Sequence, residues 1–156
     1  MTTPLTLDKI DLKILRILQE NGRISNLDLS KEIGLSPAPT LERVRKLEAA
    51  KYILGYHAQL NAPMLGLGIM AFIQISLIRQ VDNAINNFKK QIVALDEITE
   101  CFQVTGDADY LVKVVTKDIA AFEKLISEKL SKIEEIGQMK TMIILSETVK
   151  QGSVPI

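Results

Sequence analysis

Two stretches of this 156-residue chain gather the side chains most able to do chemistry. The first, GLSPAPTLERVRKLE over residues 34–48, sets Arg43, Arg45 and Lys46 behind a compact tip of Ser36, Pro37, Ala38, Pro39 and Thr40. Guanidinium and ammonium groups pair with phosphate oxygens, an arginine can also fork onto a guanine edge, and a helix start itself attracts phosphate. The same residues equally fit an ordinary solvated helix face, with Glu42 and Lys46 paired at helical spacing. The second stretch is TGDADYLVK, residues 105–113. Its glycine and aspartates suit a tight polar turn. Alternatively, successive backbone N–H groups in such a turn hold a carboxylate, and Asp107 or Asp109 holds an ammonium. Those are the two ends of a free amino acid.

Little else is equipped for catalysis. His57 is the sole histidine and Cys101 the sole cysteine, so neither a histidine-based triad nor a His/Cys metal cluster can be assembled. Cys101 is expected as a small buried strand residue and His57 as a polar residue near the wing that follows the helices. No glycine-rich phosphate loop or dinucleotide fingerprint is present. The carboxylate pairs Asp96-Glu97 and Glu134-Glu135 fit solvated helix ends. No enzyme activity, metal or cofactor is expected.

The elements that must carry the first stretch are three short helices. Asp8 is placed to cap the first, with Leu7 ahead of it as a hydrophobic staple, and Ile10, Ile14, Ile17 and Leu18 recur at helical spacing until Asn21-Gly22. Ser25 caps the second, Leu29 and Ile33 form its inner face, and Gly34 ends it. The third starts at Ser36. Its prolines fall in the first turn, where N–H groups have no intrahelical acceptor to lose. Leu41, Val44 and Leu47 are expected to face inward, leaving Pro39, Glu42 and Lys46 outward and Arg43 and Arg45 on the flanks. The last two helices form a helix-turn-helix. KYILGYHAQLN then reads as a turn with short strands, a place for a wing or a connecting strand.

Past Pro63, Gly66 and Gly68 the pattern changes. Ile69, Ala71, Ile73, Ile75 and Leu77 alternate as one face of a strand, opposite Met70, Phe72, Gln74, Ser76 and Ile78. A helix from near Asp82 carries Ile85, Phe88, Ile92 and Leu95. Strands follow over residues 98–105 and 110–116. Asp118 caps a second helix with Ile119, Phe122, Ile126, Leu130 and Ile133, and residues 138–149 make a long last strand. The order βαββαβ is ferredoxin-like, with both helices on one face of the sheet. The class is therefore α+β: a helix-turn-helix domain of winged-helix type over residues 1–60, a hinge at 61–67 and a ferredoxin-like domain over 68–156. The other sheet face, with Met70, Phe72, Ile78 and Met142, is apolar enough to need a partner.

Charge and composition narrow the partners. The net charge is zero, from 19 basic and 19 acidic residues, so any nucleic-acid binding by one copy is weak and calls for assembly. Residues 1–60 are slightly positive (nine basic, seven acidic) and the remainder slightly negative (ten and twelve). One cysteine fits a reducing cytoplasm, and the N-terminal MTTPLTLDK lacks both the basic start and the apolar run of a signal peptide. Residues 52–78 lack charge, but Gln59, Asn61, Pro63, Gln74 and Ser76 interrupt them, so a buried strand is expected and not a membrane span.

Taken in order, LDKIDLKILRILQENGRISNLDLSKEIGLSP, SPAPTLERVRKLE, GYHAQLN, GDADYLV and ETVKQ resemble the Lrp/AsnC (feast/famine) family of transcription regulators over nearly the whole chain. The resemblance implies double-stranded DNA as a partner of the front domain. The DNA-facing set is then Ser25, Asn26, Ser36, Pro37, Ala38, Pro39, Thr40, Glu42, Arg43, Arg45 and Lys46. It also implies homodimers through the sheets, often four dimers in an octamer, in the cytoplasm at the nucleoid. An amino-acid effector would bind around Val104, Thr105, Gly106, Asp107, Asp109 and Tyr110, with Gln138, Met139 and Thr141 facing. Leu67, Met139, Met142 and Ile143 suggest an apolar effector, leucine or methionine. Two other classes stay open: an architectural DNA-packing protein without a ligand switch, and a ferredoxin-like amino-acid-binding subunit or small enzyme.

Overall fold

The computed structural model describes residues 6–148 and 154–156. It divides into two units, one of residues 1–59 with the C-terminal end, the other Leu60–Thr148.

The first unit is built on helices α1 (Lys9–Glu20), α2 (Asn26–Ile33) and α3 (Pro37–Ala49). Local chemistry sets each start. Asp8 accepts from the N–H groups of Ile10 and Asp11 while the Asp11 carboxylate accepts from the Asp8 N–H, closing a capping box on α1. The Ser25 hydroxyl accepts from Asp28 N–H at the head of α2, and Gly34 ends α2 in the left-handed conformation at φ 75°. Ile14, Leu29, Ile33 and Leu47 form the core, with Leu7, Ile10, Leu18 and Val44 packed on it.

Helix α3 is turned relative to the sequence expectation. Thr40 is fully buried and Leu41 is 39% exposed. On a helical wheel the buried face therefore centres near Thr40, Leu47 and Val44, about 30° from the centre of the Leu41–Val44–Leu47 stripe. A buried threonine is tolerated because its hydroxyl donates back to the Ser36 carbonyl at 2.9 Å. Residues 53–61 form no strand within the chain. Extended backbone becomes a strand only beside another edge, and none of the described residues supplies one. Residues 154–156, expected with the back domain, lie on α1: Arg16 Nε donates to the Ile156 carbonyl at 2.6 Å, and Gln19 bonds Val154.

The second unit opens on a tight turn (Pro63–Leu65) and runs β1 (Ile69–Leu77), α4 (Asp82–Val93), β2 (Ile98–Gln103), β3 (Tyr110–Thr116), α5 (Ile119–Lys124) and β4 (Ile136–Ile143). The sheet is antiparallel in the order β2-β3-β1-β4, the ferredoxin-like arrangement. Ala71, Ile73, Ile75, Val112 and Val114 point into a core closed by Phe88, Ile92, Phe122, Leu125 and Leu130. Three boundaries differ from expectation. β2 ends at Gln103, because Val104 N–H already belongs to the turn, bonding Asp109 O. β4 covers residues 136–143, not 138–149; past Ile144, which bonds Met70 O, β1 offers no further partner, and 149 lies outside the described residues. The helix after Asp118 is regular only to Lys124, then loosens into a wide turn (Leu125–Lys129) and a tight one (Leu130–Lys132); Ile119, in its first turn, is exposed and does not join the buried face.

Cys101 is exposed, contrary to expectation. It pairs with Val112 and shares that residue's core-side orientation, but β2 is an edge strand and the core does not extend over it. On the opposite sheet face, Phe72 pairs with Met142, and Phe102 with Leu111. Met142 and Phe102 are 39% and 47% exposed, so this face is an open apolar surface. No helix among the described residues is long and apolar enough to cross a membrane.

Candidate functional site

The tip of α3 is held rather than merely stiffened by proline. Asn26 Nδ2 donates to the Pro37 carbonyl at 2.8 Å, tying α2 to the first turn of α3. Ser36 makes no side-chain cap, so its hydroxyl is left for other use. Pro37, Ala38, Pro39, Leu41, Glu42, Arg45 and Lys46 are exposed, and Ala38, Leu41, Glu42 and Arg45 share the outward stripe opposite Thr40 and Leu47. Ser25 is exposed at the head of α2, where its hydroxyl also donates to Asp28 at 2.6 Å; this bond, with Lys31 behind it, holds the Asp28 carboxyl below its usual 3.8.

This geometry removes Thr40 from the sequence-derived DNA set and gives Arg43 partners on α1. Thr40 is buried and its hydroxyl is engaged, so it cannot reach DNA. Arg43 is not a free flank residue: its Nη1 donates to Asp11 at 2.7 Å and Asp8 at 2.8 Å on α1. These bonds push the guanidinium pKa up, Asp11 contributing most, and the Asp8 carboxyl is held below 3.8, first by the Asp11 N–H and then by Arg43. Lys46 pairs with Glu42 at 2.9 Å and lowers the Glu42 pKa, though both are well exposed, so the pair is a weak one. Arg45 has no ion-pair partner among the described residues. Leu41, read as core from periodicity, belongs to the exposed face. Only the packing of α1 and α2 reveals it.

The second site is the β2–β3 turn. Val104 N–H bonds Asp109 O, and Asp109 N–H bonds Ile75 O, which pins both ends of the turn. Between them, the N–H groups of Thr105, Gly106, Asp107 and Ala108 have no acceptor among the described residues. Gly106 sits at φ 116°, a conformation open to glycine, and space around it is free. Such a run of donors is suited to an anion. The Asp107 side chain is exposed, and its carbonyl accepts from Ser76 Oγ at 3.3 Å. Ser76 pairs across the sheet with Gln138, so the turn, Ser76 and Gln138 meet at one end of the sheet.

The rest of the sequence-derived effector set does not join them. Asp109 is committed internally: Oδ2 accepts from Leu77 N–H at 2.8 Å and Oδ1 from Gln80 at 2.6 Å. Tyr110 is 2% exposed, stacked at a tilt on Phe88 with ring centres 4.7 Å apart; its hydroxyl is buried without a partner, and burial raises its pKa. Met139 packs on the core, and Thr141 lies further along the edge strand. Met142 pairs with Phe72 on the open face, whereas Met139 and Ile143 pair with Ile75 and Ala71 on the core side. Met142 therefore faces away from Met139 and Ile143, so the set Leu67, Met139, Met142 and Ile143 does not share one face of the sheet. Among the described residues no three His, Cys, Asp or Glu side chains could hold a metal.

Residues 70–154 match the Lrp/AsnC ligand binding domain, and residues 7–53 a winged helix-turn-helix DNA-binding domain. The chain belongs to the Lrp/AsnC family. It is 44% identical to the leucine-responsive regulatory protein of Haemophilus influenzae over 93% of this chain and 87% of that one. It is 40% identical to the Bkd operon transcriptional regulator of Pseudomonas aeruginosa over 96% and 98%. Among solved structures, a transcriptional regulator of Neisseria meningitidis in complex with L-methionine superposes with TM-score 0.91 at 36% identity, covering 96% of this chain and 97% of that one. Escherichia coli AsnC gives 0.85 at 29%, covering 97% and 100%. This Lrp/AsnC protein is thus a DNA-binding transcription regulator with an amino-acid ligand-binding domain, and its relatives are regulators rather than enzymes. For this regulator the family places DNA at the front unit and a small ligand at the back one, where α3 and the Gly106 turn lie.

Proposed function

We propose that the regulator senses an apolar amino acid, leucine or methionine, at the Gly106 turn and changes its DNA affinity in response. The observation that carries this reading is the run of four unpartnered N–H groups at residues 105–108 beside the exposed Asp107. The amides receive the α-carboxylate and Asp107 the ammonium, which leaves the side chain to set selectivity. The methionine complex of the Neisseria relative and the leucine-responsive relatives support an apolar effector. On the DNA side, Ala38, Leu41 and Arg45 form the base-facing stripe of α3, with Ser36, Lys46 and the helix start on phosphates. The open sheet face bearing Phe72, Phe102 and Met142 is covered by a second copy, and dimers assemble further, into an octamer, in the cytoplasm. Effector binding then shifts assembly or half-site geometry, and reciprocally DNA shifts effector affinity.

Calorimetry with a panel of amino acids tests the sensor, and footprinting with and without each binder tests the switch. Leucine or methionine should bind and alter the footprint. Binding of charged amino acids alone would overturn the apolar assignment, and an unaltered footprint would favour an architectural role.

A further inference from the structure

Arg43 occupies the recognition helix, yet its guanidinium points at a neighbour rather than outward. One nitrogen donates to two carboxylates, Asp8 at 2.8 Å and Asp11 at 2.7 Å. Those carboxylates are not incidental surface acids. They are the two halves of the capping box that fixes the start of α1. The Asp11 side chain is 10% exposed and that of Arg43 31%, so the Arg43–Asp11 bond is shielded, while Asp8, 50% exposed, lies at the solvent edge of the contact. Asn26 provides the other tether, from α2 to the Pro37 carbonyl. The two tethers grip α3 from different sides: Asn26 holds its first turn, and Arg43 holds its middle.

We infer that Arg43 is a positioning residue, clamping α3 to the capping box of α1 so that Arg45 and the Ala38–Leu41 stripe meet the DNA in one orientation. An arginine is suited to this because the two N–H bonds of Nη1 are fixed in the guanidinium plane and each meets one carboxylate, whereas a lysine ammonium rotates freely on a flexible stem. Neighbouring acids also make Arg43 a poor phosphate ligand. Any phosphate approaching it would stand beside Asp8 and Asp11, and like charges so close repel. The inference rests on the reading that α3 enters the DNA, so the test must separate the two.

The probes are the tightest duplex recovered by selection from random DNA with the full-length protein, and a scrambled duplex of equal length and composition. Affinities are measured by fluorescence anisotropy across a salt series. Arg45→Ala tests the reading itself: it should weaken binding to the selected duplex, and no change would remove α3 from the interface. For the clamp, Arg43→Lys should lower affinity for the selected duplex about tenfold while leaving the scrambled duplex and the salt slope unchanged, a fold-change near that of one misplaced base contact. Asp11→Asn should act in the same direction, and the double variant should be no worse than either single one, because both break one contact. A phosphate-contact role for Arg43 gives the opposite pattern. Lysine would then substitute well, Asp11→Asn would tighten binding, and Arg43→Ala would weaken both duplexes while reducing the salt slope by about 0.9. That pattern, or full retention of selectivity in Arg43→Lys, overturns the inference. Circular dichroism of each variant checks folding, and the lysine and asparagine variants carry the test should Arg43→Ala fail to fold.

Discussion

Asp109 offers a direct test of whether the Gly106 turn is built as a sensor. Sequence reasoning makes its carboxylate a partner for the effector ammonium. The structure makes it an anchor that accepts from Leu77 N–H and Gln80 and so ties the turn to the end of β1. Replacing Asp109 by alanine removes two bonds to an ionised acceptor and strands a part-buried backbone N–H. Hydrogen bonds to charged groups contribute roughly 1.5–3 kcal/mol net in general. The site is half-exposed, so we take a loss of about 2 kcal/mol for the pair. At about 1.4 kcal/mol per decade, the ratio of ordered to open turn falls by roughly 25-fold. An effector that needs the ordered turn loses affinity by up to that factor. Asparagine behaves differently under the two readings. Its amide oxygen can still accept from Leu77 N–H, and its NH2 can donate to the Gln80 amide oxygen once that amide turns over, so an anchor loses mainly the charge assistance, about 0.5–1 kcal/mol or a few-fold in affinity. A carboxylate that pairs with the ammonium loses its function entirely in the same variant. The assay is titration calorimetry with L-methionine and L-leucine on wild type, Asp109→Asn, Asp109→Ala and Asp107→Asn. The anchor account expects Asp109→Asn to bind nearly normally and Asp107→Asn to bind poorly. Equal losses in Asp109→Asn and Asp109→Ala, with Asp107→Asn unaffected, would refute it.

Other consequences follow from the packing. Leu47 is fully buried in a four-residue core, so Leu47→Ala should cost the first unit about 2–5 kcal/mol. Hydrogen exchange should then lose protection across α1, α2 and α3 while β1 and β3 keep theirs; uniform loss would mean that the units do not fold separately. Thr40→Val keeps the buried shape but removes the hydroxyl bond to Ser36 O, so stability should fall by about 1 kcal/mol with operator affinity intact. A tenfold affinity loss at unchanged stability would return Thr40 to the DNA contacts. Stability should also depend on acid pH with a definite sign. Asp8, Asp28, Glu42 and Glu97 all have folded pKa values below the ordinary 3.8 or 4.5, Glu97 through Lys129. Their contribution is complete above the unfolded values and lost as pH falls through the folded ones, so melting temperature should drop below about pH 4.5. A melting temperature that held level or rose there would contradict these shifts.

Much of the molecule was legible in the chain because its determinants are local. Asp8, Ser25 and Asp118 cap helices through bonds to N–H groups two or three residues on. The prolines of α3 fall where no ladder bond exists to break, and the alternation through Ile69–Leu77 gives the core face of β1 as Ala71, Ile73 and Ile75. Such signals survive in any short fragment, and together they place the helix-turn-helix and the βαββαβ order. Tertiary contacts decided the rest. Whether Leu41 faces inward depends on how α1 and α2 seat α3, since it lies at the margin of the apolar stripe, whereas Thr40 lies between Val44 and Leu47 and is buried with them. Arg43 reaches Asp11 across a separation of 32 residues, and Asp109 reaches Leu77 across the same distance in sequence, so no local pattern could reveal either bond. Cys101 is exposed because β2 is an edge, a property of strand order and not of strand sequence. The chain alone determined which elements exist and which face of most of them is apolar. The fold decided which polar groups are already engaged with one another, and hence which remain free to meet DNA or an amino acid.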